Sequence, residues 1–283
     1  VVEAKRQDWT RDPFTLVEEG GYFYARGASD DKAQAAIWVD SLMRYKAEGF
    51  HPRRTIKMAL TCGEEGGSPF NGASWLVNNK RDLIDAAFAL NEGGGGTLDE
   101  HGKRITHGVE AGEKTSQSFT LEVTNPGGHS SRPVPDNAIY HLVDAVGRIR
   151  GYEFPVRLND VTRGYLRQMS TIVGGERGRA MTALAANPAD AKADALLSQD
   201  PSLHAILHTT CVATMLSAGH APNALPQRAT ANINCRIFPG VSIESVEATL
   251  TKVVADPTVK ITVQPPPPVQ SPPRVRNARR SRR

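Results

Sequence analysis

Thr61-Cys62-Gly63-Glu64-Glu65-Gly66-Gly67 closes an alternating run in which Ile56, Met58, Leu60 and Cys62 share one side and Thr55, Lys57, Ala59 and Thr61 the other. A period of two predicts a strand over 55–62. The carboxyl end of a strand is where ligands bind in an open α/β sheet. Two adjacent carboxylates at such an end are unfavourable unless chemistry uses them. Neighbouring side chains of an extended segment point in different directions, so Glu64 and Glu65 can do different jobs, one toward a cation and one toward a proton. Taken alone, a Glu-Glu-Gly-Gly run is more often a solvated turn, because most charge pairs lie on the surface.

Two further acidic clusters change that balance. Arg26-Gly27-Ala28-Ser29-Asp30-Asp31-Lys32 follows the aromatic run 22–24, and Asn91-Glu92-Gly93-Gly94-Gly95-Gly96 follows the apolar run 86–90. Each carboxylate is therefore expected at a strand end, and three strand ends of one sheet converge. Asp30, Glu65 and Glu92 gathered in a small volume would repel one another, and a divalent cation relieves that repulsion. Oxygen ligands alone suit magnesium, calcium or manganese, whereas zinc sites normally add His or Cys.

With Ala25-Arg26-Gly27-Ala28-Ser29-Asp30-Asp31-Lys32, Cys62-Gly63-Glu64-Glu65, Asn91-Glu92-Gly93-Gly94 and Gly127-Gly128-His129-Ser130-Ser131-Arg132-Pro133 in this order, the chain resembles the co-catalytic zinc metallopeptidases of family twenty. These include aminoacylases, succinyl-diaminopimelate desuccinylases and glutamate carboxypeptidases. Four motifs in family order over residues 1 to about 265 are far more specific than any one of them. The resemblance implies that Asp30 bridges two zinc ions, that Glu65 and Glu92 each ligate one, and that Glu64 is the general base. Cobalt or manganese can stand in for zinc on this reading. The implied reaction is hydrolysis of a peptide or N-acyl-amino-acid amide bond by a metal-activated water.

The family pattern also opens with His-x-Asp ahead of Val-Val, and this chain starts at Val1-Val2; a second His ligand near the end of the catalytic domain has no counterpart either. The expectation is a chain truncated at both ends, binding zinc poorly and inactive, because loss of ligands or their supports severely weakens metal sites. The alternative is a non-catalytic scaffold or binding protein.

The fold class expected is α/β: an incomplete mixed-sheet catalytic domain over 1–112, an inserted α+β ferredoxin-like lid over 113–264 with a helical insertion, and a Pro/Arg-rich disordered tail over 265–283. In the first part, 32–49 reads as a helix with Ala35, Trp38, Val39, Leu42 and Tyr45 on one stripe. Trp38 and Tyr45 are expected in the core. A second helix is expected over 71–79, giving a parallel or mixed sheet. In the second part, strands at 118–124, 208–217, 228–238 and 259–263 and helices at 136–149 and 242–254 give β-α-β-β-α-β. Phe119, Leu121 and Val123 should face inward. The resemblance implies that this domain is a lid that often mediates dimerisation.

His129 lies in the loop after the first lid strand. Family context makes it an oxyanion-stabilising residue, often reaching the partner subunit's active site; otherwise it is a solvated loop His. Asn223 and Arg236 match further substrate-contacting positions, Arg236 suiting a carboxylate. A turn-forming Asn and a surface ion pair are their structural alternatives.

Composition narrows the remaining classes. With 283 residues, 39% hydrophobic and 23% charged, the chain exceeds one average domain. The net charge is +4, but 274–283 holds six Arg and no acid, so the remainder carries +4 minus 6, or −2. No aromatic is interleaved with these arginines, and no nucleic-acid partner is expected. No 18-residue apolar run and no signal peptide are visible, so no membrane partner is expected. A cytoplasmic location is the default, with export left open. Three cysteines, Cys62, Cys211 and Cys235, do not read as a disulfide framework, and Cys62 is expected to be a packed thiol.

Overall fold

Residues 118–124 alternate as a half-buried strand must, and in the computed structural model of the chain Phe119, Leu121 and Val123 are at most 1% exposed. The structure describes residues 2–65 and 70–265. From residue 266 onward, the tail read as disordered lies outside them. The architecture is mixed α/β, in two compact units, Val1–Gly93 and Gly94–Arg283.

In the first unit, strands β1 (Val17–Glu19) and β2 (Tyr22–Tyr24) form an antiparallel hairpin, followed by helices α1 (Lys32–Ala47), α2 (Gly72–Asn79) and α3 (Arg81–Ile84). Asn71 caps α2 by accepting from Ser74 N at 2.8 Å. Residues 55–62 and 86–90 are not strands, contrary to the alternation. A strand exists only through its ladder, and no described segment of this unit pairs with either. Apolar side chains are consequently left out of any core. Ile56 is 51%, Leu60 63%, Phe88 66% and Leu90 81% exposed. Trp38 is only half-buried and Tyr45 is exposed, so neither is a core residue. Cys62 is an exposed free thiol, not a packed one.

The second unit opens with a hairpin the sequence reading missed, β3 (Gly95–Leu98) and β4 (Arg104–Gly108). Then come β5 (Thr115–Thr124), β6 (Gly128–His129), α4 (Ala138–Arg150), α5 (Asp160–Val173), α6 (Gly175–Ala186), α7 (Ala191–Leu197), α8 (Pro201–Leu207), β7 (Thr210–Ala218), β8 (Ala224–Leu225), β9 (Arg228–Ile237), α9 (Ile243–Val254) and β10 (Lys260–Val263). The main sheet has the order β10-β5-β9-β7, and every pairing among the described residues is antiparallel. Among the described residues of 1–112, no parallel ladder of the expected parallel or mixed sheet forms.

Helices α4 and α9 cover one face of this sheet. On α4, Ala138, Leu142, Ala145 and Ile149 make one apolar stripe; on α9, Val246, Leu250 and Val254 make another, and both pack on Phe119, Leu121, Ile233 and Ile237. Burial of each large side chain stabilises by about 1.5–3 kcal/mol. The segment α5–α8 forms a separate core around Leu166, Met181, Leu184, Leu197 and Leu207. Its starts are encoded locally: Asn159 and Thr162 form a reciprocal capping box, and Asp190 and Asp200 cap α7 and α8.

Cys211 and Cys235 sit directly opposite each other on β7 and β9 and form a disulfide, with Cα atoms 4.1 Å apart. This corrects the reading that the three cysteines form no disulfide framework. Spacing alone could not show it, because pairing depends on strand register.

Candidate active site

Residues 62 and 63 are hydrogen-bonded to 72 and 71. Gly72 N donates to Cys62 O at 2.8 Å, and Asn71 Nδ2 to Gly63 O at 3.3 Å. Gly63 has φ +77°, and a Cβ there would lie 1.9 Å from Phe70 O, so only glycine fits. This turn carries Glu64, which is exposed, and Glu65, which is half-buried.

Glu64 is brought to Glu92. The carboxyl of Glu92 is held above its usual range, first by a hydrogen bond with the Asp31 side chain, then by burial and by the nearby charges of Glu64, Asp31 and Asp30. Two ionised carboxylates cannot share a hydrogen bond, so the pair requires a proton. Asp31 occupies the N-cap position of α1 but makes no side-chain capping bond; its carboxylate serves Glu92 instead. Asp31 was missed because it reads as the spacer next to Asp30. Its signal was its helix-capping residue type at a helix start, which left its side-chain use open.

Carboxyl oxygens are donors of the kind a divalent cation takes. Among the described residues, however, no three of His, Cys, Asp and Glu are arranged as a ligand set.

In the second unit, β6 pairs with β8, placing His129 opposite Ala224, and Ser130 N donates to Asn223 O at 2.9 Å. His129 and the Asn223 loop are thus neighbours, and both residues are exposed. Ser131 N donates to His129 Nδ1 at 3.2 Å. That bond makes Nδ1 an acceptor and leaves a proton on Nε2, the tautomer an oxyanion donor needs.

Arg236 is not part of that group. It stands near the opposite end of β9, roughly 25 Å along the strand from Arg228 at about 3.3 Å per residue. There it lines a cavity of about 390 Å³ with Glu110, Lys114, Val161, Ile206 and Phe238. Lys114 is a second residue the sequence reading missed. Its Nζ donates to Ala205 O and His208 O, both at 2.8 Å, and to Thr210 Oγ1 at 3.1 Å. Burial, then the Arg236 charge, lower its pKa to about 8.

The profile of peptidase family M20/M25/M40 matches residues 1–281. The chain is 28% identical over 269 residues to the N-fatty-acyl-amino acid synthase/hydrolase PM20D1 of Homo sapiens, covering 93% of this chain and 52% of that protein. It is 29% identical over 264 residues to the probable carboxypeptidase S-like 2 of Dictyostelium discoideum, covering 89% and 49%. The chain spans about half the length of these relatives. Among solved structures, the M20 family metallo-carboxypeptidase Sso-CP2 from Sulfolobus solfataricus superposes with a TM-score of 0.56 at 21% identity, over 91% of this chain and 60% of that one. That similarity speaks to the fold.

Proposed function

This chain belongs to the peptidase family M20/M25/M40, and from that premise we propose that its protein hydrolyses the amide bond of a small peptide or an N-acyl amino acid with zinc as cofactor. The observation that carries the reading is the crowding of Asp30, Asp31 and Glu64 on Glu92, whose carboxyl is raised as a result. The printed names of the relatives, a hydrolase of N-fatty-acyl amino acids and a carboxypeptidase, agree with amide chemistry.

Asp30, Glu65 and Glu92 are the proposed ligands. Bound zinc would supply a water of lowered pKa and polarise the scissile carbonyl. Glu64 takes a proton from the attacking water and passes it to the departing amine. His129 donates its Nε2 proton to the developing oxyanion. His129 and Asn223 are proposed to contact the substrate of the partner subunit in a dimer, and Arg236 to hold the carboxylate of this subunit's substrate by a forked pair of hydrogen bonds.

The 283 residues alone are proposed to hold zinc weakly and turn over little, since the described residues contain no ligand set. The same observation favours the second reading, a non-catalytic scaffold. The domain read over 113–264 is proposed to act as a lid and to dimerise. Val212, Met215 and Leu216 on the edge strand β7 and Tyr140 and Val143 on α4 are exposed, and such an edge is blunted by pairing with a second copy. A Met215→Glu change is expected to yield monomers in light scattering; a wild-type monomer would refute the dimer.

Zinc stoichiometry together with hydrolysis of a panel of dipeptides and N-acyl amino acids, on a protein of the relatives' full length carrying this chain, tests the proposal. Zinc-dependent turnover supports it, and zinc binding without hydrolysis of any panel member supports the scaffold.

A further inference from the structure

A buried polar knot joins the α5–α8 segment to the sheet. His208 is 2% exposed. Its Nδ1 lies 2.6 Å from Phe154 O and its Nε2 2.9 Å from Asp194 Oδ1, which also accepts from Ser198 Oγ at 2.9 Å. A carbonyl and a carboxylate both accept, so the ring is clamped between two acceptors. One helical turn earlier, His204 stacks on His208 with ring centroids 4.3 Å apart and planes at 20°. Its Nδ1 is 3.0 Å from Ser198 Oγ, and its Nε2 is 3.4 Å from Glu153 Oε2.

The charged groups around His204 come from each packed element: Glu153 ahead of α5, Asp194 on α7, His208 just past α8, and Lys114 ahead of β5. Burial first, and then His208, hold His204 below the usual histidine range; Glu153 and Asp194 act in the opposite sense, and Lys114 adds to the lowering. Between the two histidines lie Ala205 and Ile206, which line the Arg236 cavity. Lys114, another wall of that cavity, is bonded to Ala205 O and His208 O.

We propose that His204 and His208 form a proton-sensitive latch that fixes the last turn of α8 as a wall of the Arg236 cavity. While His204 is neutral, the stack and the Lys114 bonds hold that turn in place. Protonation of His204 sets a charge against the stacked His208 ring and beside the Lys114 ammonium, and the turn carrying Ala205 and Ile206 loosens. The sign follows from the lowered value: the hold is full above the ordinary histidine pKa of about 6.5 and weakens as pH falls below it. The consequence for substrate rests on the proposed role of Arg236, but the latch does not.

Hydrogen exchange of the full chain, corrected for intrinsic rates, tests this at about pH 7.5 and about pH 5. Wild-type segments over 201–209 should lose about tenfold in protection at the lower pH, while β5 and β9 change little. His204→Gln, which cannot take up the proton, should show less than about a twofold change. An equal loss in wild type and His204→Gln, or no loss in wild type, overturns the latch. Should the variant not fold, NMR titration of the His204 ring in wild type serves instead. Titration of His204 with unchanged exchange in α8 would also overturn the proposal. None of these readouts depends on zinc or turnover, so an inactive protein leaves the test intact.

Discussion

Asp31 and Glu92 join their carboxyl side chains in a hydrogen bond, with Glu64 and Asp30 close enough to raise Glu92 further. Acids from three separate stretches of sequence therefore meet in one place. Repulsion among them is the physical reason for proposing a cation site there.

Glu64 is proposed to handle the proton and not the metal. On the proposed zinc-dependent reaction, in a protein of the relatives' length carrying this chain, Glu64→Ala should lower kcat by roughly 10²–10⁴-fold, the usual contribution of a general base, while zinc content stays unchanged. Zinc analysis beside steady-state kinetics checks this; loss of zinc would reassign Glu64 as a ligand.

Leu121 is fully buried among Leu142, Ile233 and Leu250. Leu121→Ala should cost about 2–5 kcal/mol, read from urea unfolding of the chain. A cost under about 1 kcal/mol would show that the α4/α9 face is not the core.

His141 Nδ1 lies 2.7 Å from Asp256 Oδ2, and its Nε2 3.1 Å from Asp136 Oδ1. The hydrogen bond to Asp256 is the largest cause raising the His141 value, and Asp256 is itself lowered to about 2, first by Thr258 and then by His141. The two residues work in different windows. The His141 contribution is full below about pH 6.5 and is lost as pH rises through its raised value. The Asp256 contribution is present above its ordinary value of 3.8 and is lost as pH falls toward about 2. His141→Gln should therefore flatten the alkaline side of a urea-midpoint profile; an unchanged profile contradicts the pairing.

The Cys211–Cys235 link closes a loop between positions 24 apart in sequence. Its removal by reduction, or by changing both cysteines to serine, should destabilise the chain by about 3 kcal/mol on the loop-entropy account. Thiol titration of the untreated, unfolded protein should find Cys62 as the single free thiol. Three reactive thiols would contradict the disulfide.

Much of the second unit was legible because period-two alternation and capped apolar stripes act locally. Phe119, Leu121 and Val123 needed nothing else to declare their face, and Asn137 and Ser242 cap α4 and α9. The first unit was less legible. The run 55–62 alternates as well as any strand in the chain, but alternation expresses a preference that only a neighbouring ladder converts into a strand. Cys211 and Cys235 needed register, and Asp31 needed the approach of Glu92. Arg236 was recognised as a residue type and position, but its separation from His129 followed only from the length of β9.

The most direct test of the central claim is an NMR titration of the Glu92 carboxyl carbon in a protein of the relatives' length carrying this chain, first metal-free and then with zinc added. Glu92 is expected to titrate above its ordinary value of 4.5 and to shift downward with zinc, because a nearby cation favours the ionised form. A Glu92 that titrates at or below that ordinary value and does not respond to zinc would contradict the account.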